Sequence, residues 1–316
     1  MHRPLILPPN LASRPFTVED ALASGVRPGS LRNAQLAKPS RGIRIPGNDK
    51  PVQLPELARV YSTVWPYSAA SHATAFSVWQ MPGFHPQGES PGIHISRRAG
   101  HTMPRRRGAI GHETNLLDEE VCAIEGLWIT TRVRTWLDVS RLMSVDELTV
   151  VADHLLRVPR PELEGRVEPY ATVDGLESML HRHKGTPGIR KARLALEAAR
   201  VGSDSAPETR LRLAILRAGL PEPRLNPVLL LGAGIHRQPD MAFEEYRVAV
   251  EYEGASHSLP DQVVRDISRE EDFTRGGWIQ VRLSKRHMEA GGAVAVAKVR
   301  TALVSRGWGG ISSRGM

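Results

Sequence analysis

The stretch Arg237-Gln238-Pro239-Asp240-Met241-Ala242-Phe243-Glu244-Glu245-Tyr246-Arg247-Val248-Ala249-Val250-Glu251-Tyr252-Glu253-Gly254 decides the fold. It reads as two adjacent β-strands with a turn at Glu244-Glu245. Alternation puts Glu251 and Glu253 on one face of the second strand, and Val248, Val250 and Tyr252 on the other. The first strand brings Asp240 to the same sheet edge. Three carboxylates so placed repel one another unless a cation or bound protons offset the charge. Salt bridges to arginine are one compensation. A divalent, oxygen-seeking ion such as Mg²⁺ or Mn²⁺ is the other, and it also accounts for Asp240 and for Gly254.

On either side of this pair the pattern continues. Ser205-Ala206-Pro207-Glu208 opens a periodic helix whose apolar side is Leu211, Leu213, Ile215, Leu216 and Ala218, closed by Gly219. Glu208 lies in its first turn, where a carboxylate suits the helix dipole. Val228 to Leu231 reads as an apolar strand. Beyond His257, Pro260-Asp261 begins a helix with Gln262, Arg265, Asp266 and Arg269 on one side and Val263, Ile267 and Phe273 on the other. Trp278 to Leu283 is the closing strand, and Ala293 to Val304 the last helix. The order α-β-β-β-α-β-α over 203–308 predicts an α/β domain with a mixed sheet flanked by helices.

Upstream, residues 1–15 read as a flexible arm. Thr17-Val18-Glu19-Asp20 carries a helix-start signature, and Pro28-Gly29-Ser30 opens a second predicted helix, Leu31 to Ala37. The alternation in Ser40-Arg41-Gly42-Ile43-Arg44-Ile45-Pro46 suits a basic hairpin. Residues 16–50 thus predict a winged helix-turn-helix, with Arg32 on the second helix and Arg41 and Arg44 on the wing as contacts to DNA; a module that only packs on its neighbours is the other reading. Residues 51–157 form an α+β region holding the densest basic clusters, Arg97-Arg98 and Arg105-Arg106-Arg107, which either meet phosphate or form a solvated face. Asp138, Asp146 and Asp153 read as helix caps and surface charges, and His181 and His183 as surface histidines, since residues two apart on a helix do not face one another. Residues 158–202 read as a linker with helices, and 309–316 as a tail.

Two resemblances follow from these residues. The helix-turn-helix, Gly126-Leu127-Trp128-Ile129-Thr130-Thr131 and Arg134-Thr135-Trp136-Leu137-Asp138 resemble the N-terminal half of AbiEi-type antitoxin-like proteins, which implies a DNA-binding or scaffold role. Glu208, Pro239-Asp240, Glu251-Tyr252-Glu253-Gly254, His257, Arg265-Asp266, Arg269, Gly277-Trp278 and Arg282 resemble the PD-(D/E)XK, restriction-endonuclease-like superfamily. The branch is akin to very-short-patch-repair endonucleases and to a related bacterial domain-of-unknown-function family. The resemblance implies that Asp240 and Glu251 bind the metal, with Glu208 joining directly or through water. It makes His257 a proton acceptor or phosphate contact, and Arg265 and Arg269 phosphate contacts. The superfamily's water-activating lysine falls where Glu253 stands, so Lys285 or His257 is left to take its place.

Composition fits a polyanionic partner: 316 residues, 41% hydrophobic, with a formal net charge of +8 and a pI near 10.0. Cys122, the single cysteine, excludes an intramolecular disulfide and a multi-cysteine zinc site, and its apolar neighbours suit packing. The proline-broken start does not suit a signal peptide, and no apolar run approaches a membrane span. The expectation is a soluble, cytoplasmic, Mg²⁺-dependent DNA endonuclease, with DNA and no membrane as partner. A homodimer or a partner protein is left open. The alternative is a non-enzymatic, antitoxin-like regulator with an idle nuclease fold.

Overall fold

The structure, a computed structural model, describes residues 5–47, 51–86, 92–102, 105–232, 234–253 and 260–310, and only the backbone of 260–267. His257 and Gly254 lie outside the described residues, as does the side chain of Arg265. The chain forms two compact units that alternate along the sequence. The first comprises residues 1–148 and 173–194, and the second 149–172 and 195–316.

The first unit begins with a small module. Thr17 caps the helix Val18–Ala23: its hydroxyl accepts from the Asp20 N–H while the Asp20 carboxylate reaches back to the Thr17 N–H, the capping box the sequence predicts. The predicted helix Leu31 to Ala37 is not formed. A single 3-10 turn, Ser30–Arg32, is followed by the strand Leu36–Ala37. That strand pairs antiparallel with Ile43–Pro46, so the basic hairpin is present, and Phe16–Thr17 adds a third strand. Asn33 explains the change: its backbone leaves the helical region and its side chain accepts from the Gln35 N–H, a local bond that competes with helix. Phe16, Ala21, Val26, Leu31 and Leu36 form the module's core.

Beyond it lies a five-stranded mixed sheet in the order Ala109–Thr114, Ile93–Arg98, Ser68–Ala70, Leu127–Thr130, Val121–Ile124. Helices Leu54–Thr63, His72–Val78 and Arg132–Val139 complete the region. The stretch Arg134 to Asp138 is wholly buried. Arg134 donates to Asp138 Oδ1 (2.8 Å), to the Asn115 carbonyl (2.9 Å), to Thr114 Oγ1 (2.6 Å) and to Glu120. Asp138 is therefore an interior ion pair and not a surface charge. His183 is likewise buried, 2.5 Å from Glu120 Oε1, whereas His181 is exposed as expected. Gly188, at φ +95°, lies so close to Ser140 and Arg141 that a Cβ would come within 2.4 Å of the Ser140 hydroxyl.

The second unit is built on a four-stranded mixed sheet ordered Ile279–Ser284, Val248–Glu253, Met241–Phe243, Arg224–Leu225. The first two strands are parallel and the remaining pairs antiparallel, so the mixed, helix-flanked sheet is observed. Val248, Val250 and Tyr252 pack with the helices Ala206–Arg217 and Ala293–Ser305 on one face. Ala249 and Ala242 pack with Phe273 of the helix Pro260–Arg275 and with Leu229 and Leu231. Among the described residues Leu229–Leu230 pairs with His236–Arg237 in a separate hairpin, so the apolar strand at Val228 to Leu231 stays out of the main sheet. The supposed linker carries a helical turn, Pro161–Glu164, held by ion pairs from Arg157 and Arg166 to Glu164. Asp153 is buried as well. It accepts from Arg212 Nη2 (2.8 Å), Thr209 (2.8 Å) and the Arg200 N–H (2.7 Å).

Candidate functional site

Three secondary structures deliver the acids of the second unit. Glu208 stands in the first turn of Ala206–Arg217, positioned by Ser205, whose hydroxyl donates to Oε1 (2.7 Å), and by the Asp204 N–H, which donates to Oε2 (2.8 Å). Asp240 immediately precedes Met241–Phe243, and its Oδ2 accepts the Tyr252 N–H (2.6 Å), tying the two antiparallel strands at their open end. Glu251, directed by strand alternation to the face opposite Val250, accepts from Arg269 Nε on Oε1 (2.7 Å) and from Gln280 Nε2 on Oε2.

Asp240 lies within electrostatic reach of both Glu208 and Glu251. Burial, and then the charge of Asp240, raises Glu208 to about 7. Burial also raises Asp240, against the Tyr252 hydrogen bond and the Arg269 charge, and Asp204 adds to the rise. Glu251 is raised by burial and by Asp240, and lowered by Arg269 and Gln280. Of the acids expected at this edge, Asp240 and Glu251 carry charges that act on one another, and the charge of Asp240 also acts on Glu208. Glu253 stands apart: its side chain is exposed and pairs with Arg282. Lys285 is exposed in the turn just after the strand Ile279–Ser284. Arg269 holds Glu251 and donates to the Gln238 carbonyl (2.9 Å).

Sequence reading missed Gln280. It sits opposite Ala249 in the parallel pair, and its Oε1 is buried with no hydrogen-bond partner among the described residues. Alternation in the closing strand, with Ile279, Val281 and Leu283 on one face and Gln280 and Arg282 on the other, carries that signal. Also missed were Asp204 and Arg160, an ion pair whose charges reach Asp240.

In the first unit, Arg32 and Arg41 are exposed. Arg44 turns back to donate to the Leu31 (2.8 Å) and Ile43 (2.9 Å) carbonyls, and burial lowers its pKa. A second cluster here was not legible in advance. The rings of His72 and His112 stack at 3.6 Å, His94 Nδ1 lies 2.8 Å from His112 Nε2, and His72 Nδ1 lies 3.9 Å from Asp138 Oδ2. Burial above all, and then neighbouring imidazoles, lower His72 to about 3 and His94 and His112 to about 4. Cys122 is half-buried and its thiol is pushed up by burial, which fits a packing role.

No family model and no solved structure matches the chain. Two uncharacterized proteins of Mycobacterium tuberculosis, MT2308 of strain CDC 1551 and Rv2248 of strain H37Rv, are each 25% identical over 189 residues, 60% of this chain. The match spans 62% of the length of each of these relatives.

Proposed function

We propose that the second unit is a divalent-cation-dependent phosphodiesterase acting on DNA, of the restriction-endonuclease-like kind, localised by the first unit. The observation that supports this reading is the charge of Asp240 acting on both Glu208 and Glu251, beside a Gln280 whose buried Oε1 has no hydrogen-bond partner among the described residues. Hard oxygen donors of this kind fit Mg²⁺ or Mn²⁺. Among the described residues no group of three His, Cys, Asp or Glu side chains already stands in a coordinating arrangement, and the Glu251 oxygens are bonded to Arg269 and Gln280.

Asp240 and Glu251 would hold the cation, with Glu208 joining directly or through water. The ion would neutralise phosphate charge and lower the pKa of a water. Arg269, which compensates Glu251 in its place, would be released to a phosphate oxygen. Glu253, committed to Arg282, leaves His257 and Lys285 as the proton acceptors to test. Plasmid and single-stranded DNA incubated with the protein and Mg²⁺ or Mn²⁺ should be cut, and EDTA should stop it. Cleavage that survives in Asp240→Ala and Glu251→Ala would sink the proposal.

The Arg269–Glu251 pair favours a second reading, a non-enzymatic regulator in which arginine permanently replaces the metal. It predicts no cation-dependent cutting, and salt-sensitive binding to the protein's own promoter that falls in Arg32→Ala with Arg41→Ala. Binding that is unchanged in that double variant counts against it.

A further inference from the structure

In the first unit two cavities share Trp65. The first, about 460 Å³, is mostly apolar, with Trp65, Tyr67 and Trp128 in its wall together with the Arg98–Asp118 ion pair. The second, about 480 Å³, is lined by Arg41, Arg97, Arg105, Arg106 and Arg107, with no acidic side chain among its described lining residues. Its arginines come from two separate places: the hairpin loop of the N-terminal module, and the loop and strand ends of the five-stranded sheet.

Both cavities show built geometry. Arg106 lies over the Trp65 ring at 4.5 Å and donates to the Arg41 carbonyl. Arg97 is anchored on the Pro66 (3.2 Å) and Thr102 (2.9 Å) carbonyls. Tyr67 adopts φ +59°, a left-handed conformation uncommon for an aromatic residue, yet is 67% exposed and stacks on His101 at 4.8 Å. Trp128 is 49% exposed. Large aromatic faces held outward beside guanidinium groups that meet no carboxylate among the described residues suit a ligand that carries flat rings and regularly spaced negative charge.

We infer that this paired cleft binds single-stranded nucleic acid, with bases against Tyr67, Trp65 and Trp128 and phosphates along Arg41, Arg97, Arg105 and Arg107. A duplex keeps its bases stacked inside and would engage the arginines alone, so the aromatic cavity selects the single strand. Cavities of this size accept small ring systems, not a double helix.

Fluorescence anisotropy of the full chain in EDTA, which keeps the second unit from cutting, tests the inference. Labelled single-stranded DNA, single-stranded RNA of the same sequence and the corresponding DNA duplex are compared, the first two showing which sugar is preferred. Single strands should bind more tightly than duplex. Tyr67→Ala and Trp128→Ala should each weaken single-strand binding by about 5- to 150-fold, while Trp128→Phe, which keeps a stacking face, should retain most of it. Arg105→Ala with Arg107→Ala should flatten the salt dependence by about two phosphate contacts. Duplex binding equal to single-strand binding, or aromatic variants with unchanged affinity and intact folding, overturns the inference.

Discussion

At the scale of single residues, buried charge is handled in two ways. Arg134 neutralises Glu120 and Asp138 at once, so Arg134→Met leaves two interior carboxylates uncompensated. It should cost about 3–5 kcal/mol, read from urea unfolding, and Arg134→Lys should restore little, because one ammonium cannot reproduce a planar fork of donors. Glu208 behaves in the opposite way. Its pKa in the fold, about 7, is above its ordinary 4.5, so its contribution is favourable below pH 4.5 and is lost as pH rises through 7. Glu208→Gln should therefore raise the melting temperature at pH 8 while leaving it little changed at pH 4. Wild-type protein at pH 8 should gain stability on adding Mg²⁺, and Asp240→Ala should not.

At the scale of elements, local chemistry was legible and pairing was not. Thr17 and Asp20 announced their helix, and alternation in Val248–Glu253 assigned both faces of that strand correctly. The face taken by Glu251 followed from that alternation, and the first-turn place of Glu208 from one helix start. Asp153 and His183 looked like surface groups because their partners are distant in sequence: Asp153 meets Arg212, and His183 meets Glu120. Asp138 pairs with Arg134 only four residues before it, but that arginine is itself held inside by the distant Glu120. A periodic pattern reports which face is apolar, but it cannot report an ion pair that makes a polar residue interior. The helix predicted at Leu31 failed differently, to the turn chemistry of Asn33. Gly188→Ala belongs to this scale. Its Cβ would collide with Ser140 and Arg141 at a positive φ, separating Ile189–Ala198 from the end of Arg132–Val139. We expect a destabilisation well above 1 kcal/mol, measured by thermal or urea unfolding.

At the scale of the whole molecule, acid should act first on the first unit. His72, His94 and His112 are neutral in the fold to about pH 3–4, whereas unfolded histidines take up protons near pH 6.5. Stability from keeping them neutral is therefore complete above pH 6.5 and falls as the pH drops towards 4. Calorimetry should show a melting temperature about 5 °C or more lower at pH 4.5 than at pH 7. His112→Gln should lessen that dependence, and an unchanged slope would show that the cluster is not its source. The net charge of +8 also predicts that nucleic-acid binding weakens steeply with salt. No helix among the described residues is long and apolar enough to cross a membrane.

The alternation of the two units along the chain governs how the protein can be made. Residues 149–172 belong to the second unit, and the chain then returns to the first for 173–194. A ribosome that has released only the first 148 residues has therefore not delivered all of the first unit, and His183, the partner of buried Glu120, is still to come. Domains usually mature from the N-terminus as they emerge; here that order is blocked until residue 194 has been translated. A protease cut anywhere in 149–194 would likewise sever both units at once, so neither can be isolated by trimming the other away.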